Sequence, residues 1–127
     1  MDVLLVDDHP IIHETLRAMV RSLRPGADIY SQFDLDAGLT EARRLHQLKL
    51  VLLDLGLPGC TGIDALVKFR EAVPHARVVV ISAEADDARV RAALNEGAVS
   101  YLPKTLRPKA MVDALRTILD GGVYTPQ

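Results

Sequence analysis

The sequence predicts a single α/β domain, a doubly wound (βα)5 unit whose parallel sheet is covered by helices on both faces. Three observations carry that prediction. Five short runs rich in Val, Ile and Leu alternate with five stretches whose apolar residues recur at helical spacing. Three of the runs (VLLV, LVLL and VVVI) are continuous rather than alternating, as expected of strands buried on both faces. The 127 residues leave room for one domain of ordinary size and not for two. A β-then-α order repeated five times requires right-handed crossovers, which place helices on both sides of the sheet.

Each element has its own signal. Val3 to Val6 form the first strand candidate, and Ile12, Leu16, Met19, Val20 and Leu23 stripe the helix after it. Pro10 stands at the start of that helix, where a first turn tolerates a missing N–H. Ile29 to Phe33 form the second strand, followed by a stripe of Leu35, Leu39, Ala42 and Leu45. The third strand is Leu50 to Leu53. Thr61 with Asp64 three residues on resembles a capping box, and the stripe Leu66, Phe69 and Val73 follows. Val78 to Ile81 form the fourth strand, and Val90, Ala93 and Leu94 mark a helix that Gly97 ends. Val99 to Leu102 form the fifth strand. Pro108 opens the last helix, striped by Met111, Val112, Leu115, Ile118 and Leu119, and Gly121 closes it. Residues 1–120 therefore read as the domain, and residues 121–127, GGVYTPQ, as the start of a linker.

Composition excludes several classes. Fifteen basic against 17 acidic side chains give a formal charge of -2, which rules out a strongly basic nucleic-acid surface. An apolar fraction of 49% supplies a core and excludes disorder. Cys60 is the only cysteine, so no internal disulfide forms, and it reads as an exposed reduced thiol. The N-terminal apolar run of four residues is shorter than a signal peptide needs, and no run reaches the ~18 residues of a membrane span. A cytoplasmic domain without membrane contact is expected.

In open α/β sheets ligands bind beyond the carboxyl ends of the strands. The polar residues at those ends are Asp7 and Asp8 after the first strand and Asp54 after the third. Ser82 ends the fourth strand, and Lys104 follows the fifth. Three converging carboxylates repel one another unless a cation neutralises them. An all-oxygen donor set suits Mg²⁺ or Mn²⁺. A metal beside a strand-end carboxylate points to phosphoryl chemistry. Asp54 would attack in line, Lys104 would hold phosphoryl oxygens, and Ser82 would donate a hydrogen bond to the product. His9 and His13 stand four apart beside the acids. Pro10 places His9 outside the helix at its cap, and no third nitrogen ligand is evident, so zinc is not expected. His46, His75 and the flank of Arg17, Arg21 and Arg24 read as solvated surface.

The motifs LLVDDHP, LLDLGLPGCTG, VVVISA and SYLPK, in that order and spacing, resemble the receiver domain of two-component response regulators. The resemblance spans residues 2 to about 120. It implies a CheY-like, flavodoxin-like sheet in strand order 2-1-3-4-5. It implies that Asp54 is the phosphoacceptor, served by a sensor histidine kinase or a phosphotransfer protein. Asp8, Asp54 and the backbone carbonyl of Gly56 would ligate the metal directly, and Asp7 through water. Lys104 would pair with the phosphoryl group, and Ser82 and Tyr101 would form the switch. Such a domain catalyses only its own phosphoryl transfer and slow dephosphorylation, so it is not expected to be an enzyme.

The opening DDHP, the DLGLPGCTG loop and the ending ALRTILDGGVYTP further resemble the NarL/LuxR-type subfamily, in which a helix-turn-helix DNA-binding domain follows the receiver. The implied reading is a receiver portion of a longer transcription regulator. Contact with DNA would come only through that missing domain, and the face of helix four, strand five and helix five would control dimerisation or its release. Moving a receiver from 1% to 99% active takes about 5.5 kcal/mol, within reach of two or three charge-assisted hydrogen bonds. The alternative is a stand-alone CheY-like regulator acting through protein contacts. A flavin binder would need a glycine-rich phosphate loop where Asp7 and Asp8 stand. An aspartate-nucleophile phosphatase would carry Asp-x-Asp after its first strand, and here the pair is adjacent. Where many receivers have proline after the lysine, this chain has Thr105, and the residue two after Asp54 is the side-chain-free Gly56.

Overall fold

The computed structural model describes residues 1–126. Ten elements alternate along them: β1 (Asp2–Val6), α1 (Pro10–Leu23), β2 (Asp28–Gln32), α2 (Leu35–Arg44), β3 (Leu48–Asp54), α3 (Gly62–Ala72), β4 (Arg77–Ser82), α4 (Asp87–Asn95), β5 (Ser100–Pro103) and α5 (Pro108–Leu119). The strands form one parallel sheet in the order β2-β1-β3-β4-β5, as expected.

Strand periodicity sorts the apolar runs into two cores. Leu4, Val6, Val51, Leu53, Val78, Val80 and Tyr101 face α2, α3 and α4, where Leu39, Leu66 and Phe69 meet them. Their neighbours Val3, Leu5, Leu50, Leu52, Val79, Ile81 and Leu102 face α1 and α5, against Leu16, Val20, Leu115 and Ile118. Because both faces are covered, every residue of VLLV, LVLL and VVVI is buried, which is why those runs do not alternate.

The punctuation residues act as expected. Pro10 and Pro108 sit in the first turns of α1 and α5. Thr61 caps α3 by accepting from the Asp64 amide over 3.2 Å. Gly97 and Gly121 take φ of 98° and 93°, backbone angles that a side chain disfavours, and so stop α4 and α5. Among the described residues there is no cis peptide bond, and no helix is long and apolar enough to cross a membrane.

Four readings of the sequence need correction. Val99 precedes β5, which runs from Ser100 to Pro103. Phe33 lies beyond β2 and is 45% exposed, its ring centroid 4.2 Å from that of His13. Arg17 is not on a solvated flank. Its guanidinium donates to the Ile29 carbonyl over 3.0 Å and to the Ser31 hydroxyl over 2.6 Å, tying α1 to the edge strand β2. Cys60 is half-buried, with Sγ 3.7 Å from the Leu57 carbonyl oxygen. The segment after α5 also turns back onto the sheet. Arg77 donates to the carbonyls of Ile118 and Gly122, and Tyr124 packs on the α1/α5 core.

Candidate functional site

Sheet register places the polar strand ends side by side. Val6 of β1 pairs with Leu53 of β3, so the next residues, Asp7 and Asp54, become neighbours. Asp54 is opposite Ile81, and Ser82 is opposite Pro103. Ser82 and Lys104 therefore follow along the same rim, joined by a 2.7 Å hydrogen bond from the Lys104 amide to the Ser82 carbonyl.

At the centre are two buried carboxylates, Asp7 (0% exposed) and Asp54 (2% exposed), with Asp8 half-buried beside them. Lys104 Nζ lies 2.7 Å from Asp7 Oδ2 and 3.4 Å from Asp54 Oδ2. One ammonium faces three acids, so the cluster keeps a net negative charge. Burial pushes the Asp54 carboxyl above the usual carboxylate range, and the charge on Asp7 adds to the effect. The Gly56 amide, donating to Asp54 Oδ1 over 2.9 Å, and Lys104 oppose it.

The donor set fits a hard divalent cation. Asp7 Oδ2, Asp8 Oδ1 and Asp54 Oδ2 are buried and have no hydrogen-bond partner, although Lys104 approaches two of them. Buried carboxylate oxygens left without donors are costly unless a cation meets them. Gly56 leaves the space above Asp54 open; a Cβ there would sit 3.4 Å from Asp54 Oδ1. A cleft of about 380 Å³ opens from Asp54 past Ser82 and Ala83 to Arg89 of α4, so the buried carboxylate can be reached from outside.

Of the residues singled out in the sequence, Asp7, Asp8, Asp54 and Lys104 form one cluster, and Ser82 and Gly56 line the cleft above it. Tyr101 is apart from the cluster. It is fully buried, and its hydroxyl donates to the Glu84 carbonyl. The Glu84 amide in turn donates to the Ser82 hydroxyl over 3.1 Å. Glu84 thus links Ser82 to Tyr101 through its own backbone.

The sequence reading weighed His9 only as a zinc ligand and set it aside, and so did not anticipate its contacts with the acids. Its backbone N–H donates to Asp7 Oδ1 over 2.8 Å, and its ring Nδ1 lies 2.7 Å from the same oxygen and 3.1 Å from Asp8 Oδ1. The signal available was its place directly after two acids, but a cap position does not reveal where a ring turns. His13 does not join it. It is buried, with Nε2 2.6 Å from the Asp7 carbonyl oxygen.

Comparison with known proteins places these features in a family. Residues 3–116 match the family described as response regulator receiver domain. The chain is 36% identical over 124 residues to the glycerol metabolism activator of Pseudomonas putida, covering 98% of this chain and 56% of that protein. It is 32% identical over 120 residues to the nitrate/nitrite response regulator protein NarL of Escherichia coli K12, covering 94% and 55%. Among solved structures, a LuxR family DNA-binding response regulator from Silicibacter pomeroyi superposes with a TM-score of 0.85 at 28% identity, over 100% of this chain and 98% of that one. The chain spans about half the length of the curated relatives it matches.

Proposed function

This chain belongs to the response regulator receiver domain family, and from that membership we propose that Asp54 is its phosphoacceptor. The donor is a phosphohistidine on a sensor histidine kinase or a phosphotransfer protein. An Asp54 carboxylate oxygen attacks phosphorus in line. The P–N bond breaks, and the leaving imidazole nitrogen keeps the bonding electrons and takes up a proton. The product is an acyl phosphate on Asp54. Receiver domains are not usually counted as enzymes, and the chemistry proposed here is confined to the domain's own carboxylate.

The observation that carries this reading is the pairing of one half-buried lysine with two buried carboxylates at the mouth of an open cleft. Lys104, 3.4 Å from Asp54 Oδ2, would hold a phosphoryl oxygen once the group is on that carboxylate. Ser82 presents a hydroxyl on the same cleft. Asp8, Asp54 and the Gly56 carbonyl would hold Mg²⁺ or Mn²⁺, with Asp7 acting through water. The ion would neutralise charge on the phosphoryl oxygens.

Phosphorylation replaces a charge near -1 with one near -2 and adds acceptor oxygens. The Ser82 hydroxyl, whose oxygen now accepts from the Glu84 amide, then has an acceptor for its own proton. Movement of Ser82 pulls on Glu84, whose carbonyl holds the Tyr101 hydroxyl. The proposed output is a change in the face built from α4, β5 and α5, and regulation of a NarL/LuxR-type DNA-binding domain through it. The relatives extend well beyond the part this chain matches, which leaves room for such a domain.

Intact-mass measurement after incubation with acetyl phosphate and Mg²⁺ tests the core claim. One phosphoryl adduct is expected on the wild type and none on Asp54→Asn. An adduct retained in the variant rejects Asp54 as the acceptor.

A further inference from the structure

We infer that His9 supplies an imidazole ligand to the acidic cluster, making it a mixed nitrogen–oxygen site that favours first-row transition-metal ions over Mg²⁺. The inference rests on reading Asp8 and Asp54 as metal ligands. It adds a ligand that the all-oxygen set lacks, and with it a metal preference.

His9 occupies the N-cap of α1, yet its side chain makes no capping bond. Its ring turns the other way. The backbone N–H and ring Nδ1 both contact Asp7 Oδ1, at 2.8 and 2.7 Å, a two-point contact that fixes the ring over the acids although the side chain is 60% exposed. The donor spacing suits one ion. Ligands 2.0–2.1 Å from a six-coordinate ion are about 2.9 Å apart when adjacent and about 4.1 Å apart when opposite. Nδ1 is 3.1 Å from Asp8 Oδ1 and 4.0 Å from Asp54 Oδ2. One atom from each of Asp7, Asp8, His9 and Asp54 falls within a 4.8 Å set.

A second feature points to a ligand independently. The 2%-exposed Asp54 has an Oδ2 that lacks a hydrogen-bond partner, and the Oδ2 of the fully buried Asp7 meets the Lys104 ammonium at 2.7 Å. Lys104 Nζ, 3.3 Å from Nδ1, is the group that must withdraw when an ion enters. The contact with the Asp7 carboxylate is made by an Nδ1–H, since a carboxylate only accepts, so ligation replaces that proton with the ion and leaves the ring proton on Nε2. A carboxylate-only site suits Mg²⁺, whereas imidazole nitrogen suits the later first-row metals, whose affinity for nitrogen rises toward nickel and copper. The other imidazole nearby, His13, is tied to the Asp7 carbonyl and fixes backbone rather than ligating.

The test compares wild type with His9→Ala and His9→Gln by calorimetric titration with NiCl₂ and, separately, MgCl₂. Both variants are expected to weaken Ni²⁺ binding at least tenfold and Mg²⁺ binding less than twofold. Pulsed electron paramagnetic resonance of the Mn²⁺-loaded wild type is expected to show a directly coordinated nitrogen that both variants lose. Equal loss of Ni²⁺ and Mg²⁺ affinity, or a Mn²⁺ spectrum without nitrogen coupling, overturns the role of His9 and leaves the oxygen site standing. A wild type that binds none of the three ions overturns the metal-site reading together with this one.

Discussion

The backbone N–H of Tyr101 donates to the carbonyl of Tyr124 over 3.1 Å. The strand that carries this buried ring therefore also holds the segment leaving α5. The Tyr124 amide returns the contact to the Ser100 hydroxyl over 2.9 Å. The first bond pairs one backbone group on the outer edge of β5, and the second anchors the segment there through a side chain. Ser100→Ala removes the buried acceptor and is expected to cost about 1 kcal/mol in urea denaturation. Hydrogen exchange at the Tyr124 amide should speed up in step. Unchanged exchange there would show that the segment is not held by this bond.

Lys104 is the only ammonium among the clustered acids, so its loss leaves Asp7 and Asp54 buried without it. Removing one partner of a buried ion pair costs about 3 kcal/mol. Lys104→Met should lose about that much stability without divalent ions and recover part of it in MgCl₂. Denaturation midpoints with and without the salt measure both effects.

The raised pKa of Asp54 makes a pH prediction whose sign follows from linkage. Burial first, then Asp7, raises the folded-state value above the ordinary 3.8. The folded protein thus binds this proton more tightly than the unfolded chain does. That stabilisation is complete below 3.8 and is lost as pH rises through the raised value. Asp54→Asn does not titrate, so its melting temperature relative to wild type should climb from acid toward neutral pH in metal-free buffer. A difference that is flat or falls with pH contradicts the assignment.

Gly62 opens α3 directly beneath the loop after Asp54. A Cβ there would stand 2.7 Å from the Leu55 carbonyl oxygen and 2.8 Å from Leu55 Cβ, so backbone must move. Gly62→Ala is expected to destabilise by about 1–3 kcal/mol and to shift the amide resonance of Gly56. Unchanged stability would mean that the loop yields freely.

The fold was legible because strands covered on both faces leave a plain mark. VLLV, LVLL and VVVI are apolar at every position, and the Pro and Gly residues at the helix ends act through backbone geometry that sequence alone specifies. The site was legible for a related reason. Asp7, Asp54, Ser82 and Lys104 each stand at or just past the end of a strand, and parallel strands in register bring their ends to one rim. Phe33 and Val99 were harder, since a run of apolar residues does not say where its last ladder bond falls.

What the sequence determined by itself was the succession of elements, the two-sided burial of the sheet and the identity of the groups on its rim, because these follow from periodicity and backbone sterics. Only tertiary structure decided where flexible side chains point and what lies across from them. It turned His9 onto the acids, sent Arg17 across to Ile29 and Ser31, buried Tyr101 beneath Glu84 and laid Tyr124 along β5. Each of those outcomes depends on a partner distant in sequence or on a choice among nearly equal rotamers. Local spacing carries no record of either.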